Sequence, residues 1–233
     1  IQHFGLPLPQ LSENTVLYFT DYKTLKSLSL LFWGKAYILF SILFGFSFYI
    51  QDNNQLKKGY DFRLRFLWRM AILFVFALFN TLFYAGDILA TYAVTGILLV
   101  VTCRLKNRTI FIISLILLIQ PVLLAKCAYA FITDATHLSS LYDYLPSLSE
   151  IQYHPTDNFF EMAKINLLYG KPFALGYTWI DGRALQNAGL FLIGMLMGRL
   201  SLFLRTDKNI KFWYKAFFAG LIVFFILEVL RAN

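Results

Sequence analysis

Charge is what this sequence has least of. Only 15% of its 233 residues are Asp, Glu, Lys or Arg, where a soluble globular domain usually carries about a quarter. It holds two cysteines, and neither has the paired Cys or His spacing of a zinc ribbon or a disulfide framework. Its three histidines, His3, His137 and His154, stand apart from one another, so no metal site is expected. There is no phosphate loop, no GxSxG elbow, no HExxH and no HxxxxD of the soluble-facing glycerolipid acyltransferases. No permanently bound cofactor is expected, and no signal peptide is visible. The chain opens on Ile1 rather than Met, which reads as a mature form or a fragment.

What fills the space is apolar. Hydrophobic residues make up 58% of the chain and aromatic residues 18%, with 25 Phe and 14 Tyr. Mean hydropathy is +0.60. These values describe a chain whose solvent is largely lipid, with aromatics at lipid-facing surfaces and interfacial belts. The net charge of +8 does not indicate nucleic acid, because the basic residues fall in short loops between apolar runs.

The organising stretch is Arg63 to Cys103. Two apolar runs, 66–84 and 87–103, are separated by little more than Ala85, Gly86 and Asp87. Each is long enough to cross a hydrocarbon core of roughly 30 Å at about 1.5 Å per residue. So tight a connection predicts an antiparallel hairpin through the membrane. Further spans are expected at about 36–50, 109–131, 185–204 and 212–230. In the fourth, Gln120–Pro121 should bend the helix. Residues 132–184 form the longest polar stretch. Within it, 156–169 shows a loose helical apolar face (Phe160, Ala163, Leu167) and is expected to lie on the membrane surface. The expected fold is therefore all-α: a single polytopic transmembrane bundle of about six spans, with an outer loop region containing an interfacial helix.

The loops set the orientation. Loops 51–65, 104–108 and 199–215 hold 12 of the 21 basic residues, accompanied only by Asp52, Asp61 and Asp207. The positive-inside rule places them in the cytoplasm, and puts Ile1, Asp87 and 132–184 outside. Cys103 and Cys127 then lie near opposite membrane faces and should not pair.

Few residues carry chemistry. Asp87, beside the hydrocarbon boundary, is either a functional carboxylate or a helix cap. Thr91 and Thr95 follow it at i+4 and i+8, with Thr102 near the same face, a stripe expected to point into the bundle. Such threonines also bond their own i−4 carbonyls, so a structural stripe is the alternative. Asn80, inside the apolar run, should face protein, either lining a cavity or joining helices. Arg69 either snorkels or holds an anionic group arriving from the cytoplasm, such as a phosphate of coenzyme A. It stands 18 residues from Asp87, roughly 27 Å along a helix, so the two should not meet. His154, three before Asp157, has the spacing of a base with an orienting acid, against the plainer reading of a solvated loop histidine. Arg183 either anchors the next span to headgroups or binds an outer ligand. Gly194 and Gly198 form a GxxxG that suits close helix packing.

Four short elements occur in an order that resembles the YeiB-like family, domain of unknown function 418. They are LFSxLFGxxF (Leu39 to Phe48), the Arg-rich opening of the next helix, GDILxxYAxxG (Gly86 to Gly96, containing Tyr92), and GMxxGR (Gly194 to Arg199). Together they touch spans across residues 34–205. The resemblance implies one more helix before this segment and a bacterial inner-membrane location. It also implies distant similarity to membrane acyltransferases of the heparan-alpha-glucosaminide N-acetyltransferase type. Acyl-CoA would then be a co-substrate from the cytoplasm and a glycan or other small molecule the outer acceptor. Asp87, Asn80 and His154 are the catalytic candidates, and Arg69, Thr91, Tyr92, Thr95 and Arg183 the binding candidates. Where the family commonly shows a His upstream of GDIL, this chain has Asn80, so no histidine-based role carries over there. Transport of a small polar solute is the second reading, since it has also been suggested for the family. A structural subunit whose polar groups satisfy one another is the third. Membrane lipids and a homo-oligomer are the remaining expected partners, and nucleic acid is not expected.

Overall fold

A computed structural model describes residues 35–84, 86–132 and 158–232. Among the described residues every regular element is helical. In order these are α1 (Lys35–Leu56), α2 (Arg63–Thr81), α3 (Leu89–Thr102), α4 (Asn107–Ile119), α5 (Pro121–Ile132) and α6 (Phe159–Ile165). A π-helical turn (Asn166–Gly170) then leads into α7 (Lys171–Ile180), α8 (Arg183–Arg199) and α9 (Asp207–Ala232). The described residues from Ser41 onward belong to one compact unit, whose boundary falls inside α1.

Among the described residues three helical stretches are long and apolar enough to cross a membrane: Arg63–Thr81, Asn107–Ala125, which runs over the α4–α5 break, and Asp207–Ile226. The apolar α3 has only 14 residues, a rise of about 21 Å. Three of the six expected spans therefore meet both requirements. The Gln120–Pro121 bend is present as a break between α4 and α5. Gln120 sits in the left-handed region (φ 55°), because the ring of Pro121 disfavours a helical conformation in the residue before it. A second left-handed residue, Gly182 (φ 73°), lies beside this break. A Cβ on it would come within 2.8 Å of the Gln120 side-chain oxygen.

Large apolar side chains lie on the outside as well as in the core. Leu64, Trp68, Val75, Phe76 and Phe79 of α2 are all more than three-fifths exposed, while Ser41, Thr81, Ser114 and Asn187 are completely buried beside Phe48, Phe191 and Leu99. Where the surroundings are lipid, apolar side chains gain little by turning inward, and small and polar groups add to the helix contacts. Thr81, Thr95 and Thr102 donate to the carbonyls of Ala77, Thr91 and Leu98, each at 2.7 Å.

The helix buried most completely is α8, with everything from Asn187 to Leu192 inaccessible or nearly so. Its glycines explain how it gets there. An added Cβ at Gly194 would collide with the Ile42 carbonyl of α1, and one at Gly45 of α1 would collide with the Phe191 carbonyl. The two backbones touch with no side chain between them. Beside this seam Phe44 stacks on Phe191 (centroids 4.6 Å apart), and Tyr92 meets Phe191 edge-on at 5.2 Å. Across the same interface the Ser41 hydroxyl donates to Asn187 Oδ1 (2.8 Å) and lies 2.9 Å from the Tyr92 hydroxyl. One hydrogen-bonded chain thus ties α1, α3 and α8.

Over its described residues the expected interfacial segment is helical and keeps its large apolar side chains outward. Of its apolar face, Phe160 is 80% exposed and Leu167 38%, and only Ala163 is buried. The buried residues are Ala163, Asn166 and Lys171. The segment turns its polar groups toward the bundle and its large apolar groups away from it. The π turn, which adds a residue to one turn, helps set that phase.

The seam makes a prediction. Gly194→Ala should destabilise the protein by about 1–3 kcal/mol, because the carbonyl it meets is backbone and yields only if the helices part. Gly220→Ala, where a Cβ meets nothing within 4 Å, should be neutral or stabilise by up to about 1 kcal/mol through helix propensity. Thermal unfolding of both variants in detergent checks this. Equal effects would remove the seam from the account.

Candidate functional site

The site lies at the turn between α2 and α3. α2 ends at Thr81, and the amides of Phe83 and Tyr84 both donate to the Asn80 carbonyl at 3.0 Å. The chain then passes Gly86 and Asp87 before α3 begins. Asp87 Oδ1 accepts from the Leu89 amide at 3.2 Å, so the carboxylate does perform a capping task. Its other oxygen does not. Asp87 Oδ2 is buried and has no hydrogen-bond partner among the described residues. A carboxylate oxygen withdrawn from water without a donor is costly unless something supplies one.

Two side chains from the α6–α7 segment hold this turn at its ends. Asn166 Nδ2 donates to the Leu82 carbonyl at 3.4 Å, and Lys171 Nζ donates to the Asp87 carbonyl at 3.1 Å. Both side chains are buried, Lys171 to 2% exposure. The π turn aligns them: Asn166 opens it and Lys171 follows it, so one irregular turn brings both to the same face. Burial pushes the Lys171 ammonium below its ordinary pKa, opposed in part by the negative charge of Asp87. One turn further on, the Thr91 and Thr178 hydroxyls approach to 3.5 Å, while Thr178 also donates to the Leu175 carbonyl at 2.8 Å. The assembled chemistry is a half-buried carboxylate with one free oxygen, a buried amine beside it, and two hydroxyls. Such a group can take a proton from a hydroxyl or amine, or hold a cation.

The other expected site residues scatter. Thr95 is on the inward face as expected, but its hydroxyl is committed to the Thr91 carbonyl. Tyr92 is 8% exposed and belongs to the Ser41–Asn187 chain rather than to the turn. Asn80 is half-buried, the penultimate residue of α2. Arg69 is exposed, bonds the Gln51 side chain and lies over the Phe62 ring at 5.6 Å, the posture of a snorkelling residue. Arg183 is exposed, pairs with Asp181 at 2.6 Å and sits 5.8 Å above the Tyr177 ring. His154 lies outside the described residues. Among the described residues no group of His, Cys, Asp and Glu is placed to hold a metal.

Reading the sequence missed Lys171, Asn166 and Asn187. A signal exists for the first: it is the lone cation in INLLYGKPFALG, and an ionisable residue inside an apolar run marks a site by default. Asn187 shows itself as an amide in the opening turns of an apolar helix. It is completely buried, and its Nδ2 has no partner among the described residues.

No family model matches the chain. Among curated proteins, an uncharacterized 39.9 kDa protein in the amylase 3' region of Bacillus acidopullulyticus is 32% identical over 94 residues. That match covers 40% of this chain and 27% of the other, so the chain spans well under a third of that relative's length. No solved structure matches.

The depressed Lys171 pKa makes a signed prediction. Between its folded value and the ordinary 10.5, the unfolded chain binds more protons at this position, so its contribution to stability rises with pH across that window. Melting temperatures of the wild type and Lys171→Met from pH 7 to 10 should show the wild type gaining on the variant as pH rises. A gap that stays constant with pH would contradict this placement of the amine.

Proposed function

We propose that this chain belongs to a multi-pass membrane protein of the YeiB-like family that moves an acyl group from cytoplasmic acyl-CoA to an acceptor at the outer face. The observation that carries the reading is the unpartnered Asp87 oxygen beside buried Lys171, at the end of the hairpin away from the basic loops. In this reading Asp87 Oδ2 accepts the proton of an acceptor hydroxyl or amine as that atom attacks the acyl carbonyl, the thioester C–S bond breaks and coenzyme A leaves as its thiolate. Lys171 fixes the turn, and its positive charge steadies the carboxylate. Arg69, exposed near the opposite end of α2, is where a coenzyme A phosphate would be met. The excess of basic residues in 51–65, 104–108 and 199–215 supports an inner-membrane topology with these loops in the cytoplasm. α1, α3 and α8 would then supply the spans beyond the three long ones.

A second reading, transport of a small polar solute, draws on the helix break at Gln120. Interrupted helices with buried polar groups nearby are how many transporters build their sites.

Incubating the full-length protein with labelled acetyl-CoA tests the first reading. Binding with hydrolysis, covalent labelling or transfer to an added amino sugar is expected. No binding, no label and no hydrolysis, together with Asp87-dependent solute uptake into vesicles, would replace the enzyme by the transporter. Topology is checked separately in a background where Cys103 and Cys127 are Ala. Thr156→Cys should react with an impermeant maleimide from outside, and Lys106→Cys only after permeabilisation. The reverse pattern would invert the orientation.

A further inference from the structure

The α2–α3 hairpin carries a second feature, independent of Asp87. A groove of about 310 Å³ runs between its helices, walled by Leu67, Met70 and Phe74 of α2 and Ala93, Val94 and Ile97 of α3. Gly96 lies behind it and leaves room for the Met70 thioether, since a Cβ there would stand 2.7 Å from the sulfur. Val94 and Ile97 are 38% and 44% exposed, so the groove opens to the surroundings of the hairpin. For α2, a helix long and apolar enough to cross a membrane, those surroundings are lipid.

Both walls run down to cations. On α2, Arg63, Leu67, Met70 and Phe74 follow i, i+4, i+7 and i+11, one stripe of the helix. On α3, Val94, Ile97 and Val101 continue the same way toward Arg104, just past its end. Asp61 draws the two guanidiniums together. Arg63 Nη2 lies 2.6 Å from one of its oxygens, and Arg104 Nη2 lies 3.4 Å from the other. Arg104 also reaches buried Asp52 at 3.4 Å. The hydrogen bonds from Arg63 hold the Asp61 carboxyl down at about 2, so it is ionised wherever the protein works. Asp52 and Asp61 do not balance the cations around them. Arg65 bonds Gln55 rather than an acid, and Arg199, close enough to act on Asp52, is spent on the carbonyls of Cys103 and Leu105 and on Asn107. Arg63 and Arg104 keep 47% and 39% of their side chains exposed.

A hydrocarbon chain by itself gains nothing in this groove over bulk lipid. Selection must come from the charged end, and a basic pocket between membrane helices suits an anionic head group. We propose that the hairpin binds one anionic phospholipid, with an acyl chain in the α2–α3 groove and its phosphate against Arg63 and Arg104. The lipid would brace α2 against α3 along the face where an apolar gap otherwise separates them.

The test is native mass spectrometry of the full-length protein, delipidated in mild detergent and offered equal amounts of phosphatidylglycerol and phosphatidylcholine with the same chains. The wild type should retain phosphatidylglycerol over phosphatidylcholine by about fivefold for each basic residue engaged. Arg63→Gln should lose about fivefold of that preference. Ala71→Phe, which fills the groove from its exposed side, should lower phosphatidylglycerol retention while leaving the melting temperature of the lipid-free protein unchanged. Arg205→Gln, a basic residue away from the groove, should change nothing. Equal retention of the two lipids by the wild type would overturn the proposal. So would wild-type retention by both Arg63→Gln and Ala71→Phe, or an equal loss in Arg205→Gln, which would reduce the effect to general charge.

Discussion

The backbone of α8 rests on the backbone of α1, glycine against carbonyl at Gly45 and Phe191 and again at Gly194 and Ile42. Most of what the described residues do follows from that contact. In lipid there is little drive to bury Leu or Phe, so helices associate through close backbone approach and through polar groups that find one another. The seam brings Ser41 within reach of Asn187, lets Phe44 stack on Phe191, and sets Tyr92 of α3 against both. With α8 fixed by α1 and α3, its preceding segment is fixed as well. α7 runs into α8 through Asp181 and Gly182, and this carries Lys171 and Asn166 over the α2–α3 turn.

That turn shows how one carboxylate serves two ends. Capping the Leu89 amide occupies a single oxygen of Asp87 and leaves the other buried, without a donor among the described residues. The clamp from Asn166 and Lys171 grips backbone carbonyls rather than the carboxylate. Asp87 is thereby held in place while its second oxygen stays uncommitted. A cap alone needs no such arrangement, since Ser or Thr at that place would satisfy the amide. The buried amine is kept near the carboxylate but is bonded elsewhere, so the site is charged without being closed by an internal ion pair.

The hairpin, the Asp87 turn, the inward threonine stripe and the glycine packing were all legible in the sequence, because each rests on local spacing or a residue type with one main use. The break at Gln120 was legible for the same reason: proline restricts the residue before it. The clamp was not. Its two members come from 84 positions away in each case, and a π turn, which has no reliable sequence pattern, sets their phase. The same turn faces Asn166 and Lys171 inward, while Phe160 and Leu167 of the expected apolar face stay outside the bundle. Periodicity located the amphipathic segment but not which of its polar residues the bundle buries. Tyr92 stands in the GDIL element, and its position five residues after Asp87 points it at Ser41, deep among α1, α3 and α8.

The central claim is that Asp87 is held as a free carboxylate and not merely as a cap, and Asp87→Asn separates the two. Asn caps a helix about as well as Asp and keeps an oxygen for the Leu89 amide, while its neutral amide has no basicity to offer. The decisive measurement is acyl transfer by full-length Asp87→Asn alongside its melting temperature. Unchanged melting with transfer reduced by about 100-fold or more is the result expected of a lost general base. Full transfer in the variant, or a fall in transfer that only follows a fall in stability, would return Asp87 to the role of a cap.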